Sequence, residues 1–244
     1  MTPQRQLSVA VATLVVIALA PGLTSAGPLI LNGDFSLGYN GFASNYVYRS
    51  SDTLPNYRLM YPEGTFTVGT DPSQVHGLWA SFGDHTTGDG GMMIVNGNRA
   101  ADVLVWSSTV EVAADTNYDF SAWVASVYPA SPASLAFSIN GILLDAPFGA
   151  SSTTGLWRQF ANGWYSGTNR TAVLSIVNQN IEWWGNDFAL DDIMLNAIAP
   201  IEPLSFDASD FTEEPAAVPE PGSSLLLFGS GLAAFAGIPK NRKN

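Results

Sequence analysis

The sequence predicts an all-β sandwich set between two hydrophobic ends. Three observations carry that expectation. Short β-branched, aromatic or alternating runs recur through the middle of the chain. Clusters of Gly, Pro, Asn, Asp and Ser separate them. No stretch between the ends keeps the apolar period of a helix. Several short strands in one chain, with no helices to cover a sheet, pack as two sheets face to face.

The predicted strands follow in order. Thr65–Val68 lies between Gly64 and Gly69, and Met92–Val95 between Gly91 and Asn96-Gly97. Val103–Val112 and Tyr118–Val127 flank the turn residues Asp115 to Asn117. Leu135–Ile139 places Leu135, Phe137 and Ile139 on one face and Ala136 and Ser138 on the other, the period of a half-buried strand. Asn140-Gly141 then separates Ile139 from Ile142, a hairpin signal. Trp157–Tyr165 and Ala172–Asn178 are parted by Ser166-Gly167-Thr168-Asn169. Phe188–Leu195 follows Gly185-Asn186-Asp187 and closes the domain. Trp106, Trp123 and Trp157 lie in these runs and are expected in the core.

The ends carry a different message. Arg5 is the only charged residue before Asp34, Val9 to Ala20 is apolar, and Pro21-Gly22 breaks the run. Thr24-Ser25-Ala26 then supplies small residues for cleavage, the pattern of a secretory signal peptide over residues 1–26. Cleavage after Ala26 makes Gly27 the first mature residue. The sandwich is assigned to 27–196. Residues 197–217 contain Glu202, Asp207, Asp210, Glu213 and Glu214, three prolines and no basic residue, and read as an extended, solvated linker.

From Gly27 to Val218 there are 20 acidic and five basic residues, none of them lysine, for a formal charge of −15. Such a body is repelled by phosphate backbones, so nucleic acid is not an expected partner. The chain has no cysteine, which removes disulfides, thiolate chemistry and cysteine zinc sites. His76 and His85 match neither a helical zinc motif nor a triad, and no GxSxG or P-loop occurs. The expected function is therefore not enzymatic, with a secreted hydrolase using an unrecognised carboxylate pair as the alternative.

Val218-Pro219-Glu220-Pro221 is followed by an uncharged run, Ser223 to Ile238, and by Lys240, Arg242 and Lys243. The run's 16 residues would span roughly 24 Å as a helix, short of a ~30 Å hydrocarbon core. This three-part tail, residues 218–244, resembles the PEP-CTERM sorting signal of exported bacterial proteins. The same type of tail is also labelled as the C-terminal region of ice-binding proteins. The resemblance implies export in a Gram-negative bacterium, with recognition and processing by an exosortase. It implies a transient membrane helix and a destination at the cell surface, outer membrane or extracellular matrix. It also implies a link to exopolysaccharide and biofilm. Ice binding stands as a further alternative on the label alone, since the body lacks regular Thr repeats.

Leu31-Asn32-Gly33-Asp34-Phe35 and Gly185-Asn186-Asp187-Phe188-Ala189-Leu190-Asp191-Asp192-Ile193 resemble the opening and closing stretches of galactose-binding-like, carbohydrate-binding jelly rolls. Gly83 to Gly97 is similar to a segment in exported proteins with this tail. The resemblance implies a jelly roll whose first and last strands lie together beside a structural calcium. Calcium takes six to eight hard oxygens. Asp34, Asp191 and Asp192 supply candidates, with Asp84, Asp89 and Asp187 as further donors; otherwise they are solvated edge charges. Adjacent strand residues face opposite ways, so only one of Asp191 and Asp192 is expected to ligate unless a bulge intervenes, and Asp191 is favoured. Trp183-Trp184 precede a loop signature and are hard to bury together. They either stack on a sugar ring or divide between core and sheet edge.

Overall fold

The structure, a computed structural model, describes residues 28–50 and 56–199. The signal peptide with Ala26 and Gly27, most of the acidic linker and the whole tail from Val218 to Lys243 lie outside the described residues. No helix among the described residues is long and apolar enough to cross a membrane.

Among the described residues eleven strands form two sheets: β1 (Val47–Tyr48), β2 (Thr65–Gly69), β3 (Met92–Asn96), β4 (Val103–Glu111), β5 (Asn117–Ser126), β6 (Ser134–Ile139), β7 (Ile142–Leu143), β8 (Phe148–Gly149), β9 (Arg158–Tyr165), β10 (Thr171–Asn178) and β11 (Phe188–Ala197). One sheet has the order β1-β2-β3-β11-β5-β9; the other runs β4-β10-β6-β7, with β8 paired to β6. From β3 onward the chain changes sheet at each long strand: β3, β5, β9 and β11 belong to the first, and β4, β6 and β10 to the second. That antiparallel winding makes the sandwich a jelly roll. β1 joins the edge in parallel, and β7 and β8 are two-residue pairings that no periodicity announces.

Most of the core lies between the sheets. Phe66, Val95, Phe120, Phe188 and Leu190 from the first sheet meet Trp106, Phe137, Leu174 and Ile176 from the second. Trp106 is fully buried as expected, whereas Trp123 and Trp157 are only half-buried. β6 also departs from expectation: Ala136 and Ser138 are buried as well as Leu135, Phe137 and Ile139, so both faces are covered. The Asn140-Gly141 turn forms as read, with φ of 53° and 80°. Positive φ at both positions matches the right-handed twist of the strands it joins.

β3 reveals a second layer. All five of its residues are buried. Met93 and Val95 face the inter-sheet core, while Met92 and Ile94 face the other way, onto Met60, Val75 and Trp79. The connection between β1 and β3 therefore folds over the outer face of the first sheet. Within it, Asp71 caps the 3-10 turn Pro72–Gln74 by accepting from the Ser73 amide at 2.8 Å.

The opening motif is structural. Asn32, at φ 62°, donates its amide to Gly38 O and Asn40 O and accepts from Leu37 N, which folds residues 32–40 around buried Phe35. Gly33 O accepts from Ile193 N at 2.9 Å, so this segment lies on the last strand, as a turn rather than a strand of its own. A Cβ at Gly33 would stand 2.0 Å from Ile193 O. Backbone meets backbone there, and no rotamer relieves it. Gly33→Ala is expected to cost about 3 kcal/mol, seen as a lower urea midpoint at unchanged slope.

Candidate functional site

The tail of the 179–186 loop carries Trp183 and Trp184, and its base is pinned by asparagines. Asn180 donates to Ser131 O and Pro132 O, and its Oδ1 accepts from Glu182 N. Asn186 donates to Asn98 O and Asn180 O. Gly185, at φ 92°, approaches Ala130 O so closely that a Cβ would lie 1.9 Å from it. With the base held this way the indoles have no core to enter. Both are exposed, at 58% and 50%, so neither is buried. Their rings meet edge to face at 5.5 Å, and Tyr128 abuts Trp184 at 5.7 Å.

Opposite them stands the outer layer on β3. His76 stacks on Trp79 at 4.4 Å and 19°, and Tyr61 closes on His76 at 4.4 Å. Asn96, at the end of β3, donates to Met60 O and holds this segment down. Together these elements line a groove of about 160 Å³ that also receives Glu63 and Asp187. Sequence reasoning finds Trp183 and Trp184 but not Tyr61, Glu63, His76, Trp79 or Asp187 as groove residues. The usable signal is the Asp71-Pro72 cap, which starts the 3-10 turn that leads into His76 and Trp79.

The groove's titratable groups are perturbed. Burial pushes the Asp187 carboxyl up to about 7, against hydrogen bonds from Gly97 N and the Trp79 indole, and the charge of Glu63 adds to the rise. Burial lowers His76 to about 4, so its ring is neutral near pH 7. Its Nδ1 accepts from Leu78 N at 3.3 Å. Glu63 meets Arg99 at 3.8 Å, in a solvated pair of little energetic weight.

The carboxylates considered for calcium lie on β11 and in the opening segment that packs on it. A bulge follows Asp191 in β11, and Asp192 takes φ 46°. Regular alternation would turn Asp192 into the core; the bulge removes it and returns Ile193 inward. Asp191 is fully buried, and its Oδ2 accepts from His85 N, Thr86 N and Thr86 Oγ1 while Oδ1 accepts from Asp192 N. Burial, with the charge of Asp192, pushes Asp191 up to about 6 against those bonds. Asp192 binds His85 Nδ1 at 2.6 Å and lies within 2.8 Å of Thr86 Oγ1. His85 also stacks on Trp123 at 3.8 Å. Asp34 accepts from Ser36 and, with Asp192, lines a separate hollow beside Ile30 and Leu37. Among the described residues no three His, Asp or Glu side chains gather into a group able to hold a metal ion. Of the three, Asp34 and Asp192 share that hollow, while the oxygens of buried Asp191 accept from Asp192 N and from the 84–87 turn. That turn folds on Asp84. Burial would raise its carboxyl, but bonds from Thr87 and Gly90 outweigh it and hold it below its ordinary value.

Residues 217–242 match the PEP-CTERM protein-sorting motif. The tail is a sorting signal. It begins one residue before the Val218 read from sequence and marks an exported protein directed to the cell surface. No curated protein matches the chain. Among solved structures, the sandwich is similar to the CBM22-1 xylan-binding domain of Xyn10C from Paenibacillus barcinonensis, at 13% identity and a TM-score of 0.43, covering 68% of this chain and 91% of that one. It is similar to TmCBM61, solved with β-1,4-galactotriose, at 15% identity and a TM-score of 0.44, covering 71% and 100%. A cyclase from Fischerella sp. TAU is similar at 10% identity and a TM-score of 0.47, covering 69% and 96%.

The buried acids set a pH dependence. Asp187 and Asp191 have folded pKa values of about 7 and about 6, above the ~3.9 of an unfolded aspartate. The folded state therefore binds more protons in that window, and their contribution to stability is lost as pH rises from about 4 through about 7. His76, lowered from 6.5 to about 4, acts the other way over its own window. Two acids outweigh one imidazole. The melting temperature is expected to rise by a few degrees, about 1 kcal/mol, on going from about pH 8 to about pH 5.5. A thermal scan showing a fall over that range contradicts the assignment.

Proposed function

We propose that this is an exported surface or matrix protein, processed by an exosortase, whose sandwich binds glycan chains without turning them over. The observation that carries the reading is the pair of exposed indoles on a pinned loop, facing the His76–Trp79 stack across the groove. Large aromatic faces left in water cost free energy unless something covers them. A sugar ring offers an apolar C–H face to stack on and hydroxyls for Asn96, Glu63 and the backbone. The sorting motif supports presentation of such a surface outside the cell, where exopolysaccharide is at hand.

A second reading rests on one feature. Asp187, held near 7 beside Glu63, has the character of a general acid next to a second carboxylate. Its two N–H partners and its burial favour a fixed, structural carboxylate over one that reaches a glycosidic oxygen.

Calorimetry of the purified chain against neutral oligosaccharides tests the binding reading. Trp183→Ala and Trp184→Ala are each expected to weaken affinity about tenfold, or 1.4 kcal/mol, with the melting temperature unchanged because both rings are exposed. Hydrolysis of the oligosaccharide, lost in Glu63→Gln, would assign the groove to an enzyme instead.

The tail has its own test. Pro219 and Pro221 are helix breakers, the residue type that leaves a backbone open to a protease. Replacing Pro219-Glu220-Pro221 with alanines is expected to leave export intact and to hold the protein, at full length, in the membrane of an exosortase-bearing host. Membrane-bound wild type with an intact C-terminus, measured by fractionation and mass spectrometry, would favour a permanent anchor.

A further inference from the structure

We propose that the groove selects sugars bearing a free ammonium group, the 2-amino-2-deoxyhexoses of a de-acetylated amino-polysaccharide, over acetylated, neutral or acidic sugars. The inference rests on the glycan-binding reading above and adds the charge of the ligand.

The lining carries two carboxylates, Glu63 and Asp187, and no lysine or arginine. Its imidazole is kept neutral by burial. The other walls are π faces: Tyr61, Trp79, Tyr128, Trp183 and Trp184. Carboxylates set among aromatic faces are the chemistry that recognises an organic cation, through charge and through the ring quadrupoles together. A uronic or sulfated sugar would bring a further negative charge beside Glu63 and Asp187, and no guanidinium lines the groove to receive it.

Asp187 sharpens the argument. It is 8% exposed and held by Gly97 N and the Trp79 indole, so its position is fixed rather than sampled. Among the described residues the ion pairs are His85 with Asp192 and Arg99 with Glu63; Asp187 has no cationic partner in either. A carboxyl kept out of water without a counter-charge gains most when a ligand supplies one. Glu63 sits at the rim, where its 3.8 Å pair with Arg99 is readily exchanged for a closer cation. The formal charge of −15 over residues 27–218 attracts such a ligand from a distance.

The test is calorimetry of the full chain at low ionic strength and near-neutral pH. The probes are the tetramers of glucosamine, N-acetylglucosamine, glucose and galacturonate. The expected result is at least tenfold tighter binding of the glucosamine tetramer than of the acetylated and neutral ones, with no binding of galacturonate. Glu63→Gln is expected to reduce that preference several-fold, lowering the affinity for the glucosamine tetramer more than that for the neutral one. Trp183→Ala is expected to weaken all ligands alike. Equal or weaker binding of the glucosamine tetramer overturns the ammonium proposal and leaves glycan binding standing. A preference that survives Glu63→Gln undiminished also overturns it, since the attraction would then belong to the acidic surface at large. Failure of every tetramer to bind removes the glycan reading and this proposal with it.

Discussion

The burial of β3 on both faces is the constraint on which the rest of the molecule depends. A strand in a two-sheet sandwich ordinarily hides one face and wets the other. Here Met92 and Ile94 point away from the inter-sheet core, and each would expose an apolar side chain worth about 1.5–3 kcal/mol of burial. The chain between β1 and β3 must therefore pack over them, and Met60, Val75 and Trp79 do so. That layer is what lifts Tyr61 and His76 into a wall. The groove exists because a second, smaller core requires cover, and the cover has an outer side.

The acid-rich turn 83–91 shows how buried charge organises a surface loop. Asp84 draws in the amides of Thr87 and Gly90, and Asp191 draws in those of His85 and Thr86. Each carboxylate spends its lone pairs on backbone N–H groups that the tight turn leaves without strand partners. Trp157 caps the arrangement by donating its indole to Gly83 O at 3.2 Å. The result is a short loop fastened by hydrogen bonds to β11 and to Trp157 just before β9, with His85 also stacked on Trp123 of β5. Asparagine does the same at the other end of the sheet, where Asn178, Asn180 and Asn186 tie three loops together.

What could be read from sequence and what could not divides along physical lines. β10 was legible because Ala172, Leu174 and Ile176 are buried while Thr171 and Val173 are exposed, and period-two alternation is the signature of a strand. β1 and β8 were not, since two paired residues have no period, and only the Asn140-Gly141 turn announced β7. Met92 to Val95 was readable as a strand, yet its unbroken apolarity has its cause in residues far away at 60, 75 and 79, which carry no local pattern. The expectation that only one of Asp191 and Asp192 ligates carried the exception of a bulge, and β11 has one extra residue at that point. Trp183 and Trp184 stood out because two adjacent bulky aromatics beside Gly-Asn-Asp resist burial. Tyr61, His76 and Trp79 did not, because their meeting depends on a 3-10 turn and on the layer beneath them.

The pinned base and bare tip of the 179–186 loop separate two kinds of selection. Asn180, Gly185 and Asn186 answer to folding: each is locked by backbone atoms of neighbouring loops. Ile181, Glu182, Trp183 and Trp184 are all exposed. Substitutions at those four positions change the face shown to a ligand at little cost to the scaffold. A lineage carrying this framework can therefore drift from one ligand to another by exchanging a tetrapeptide, while the asparagines and glycine stay as they are.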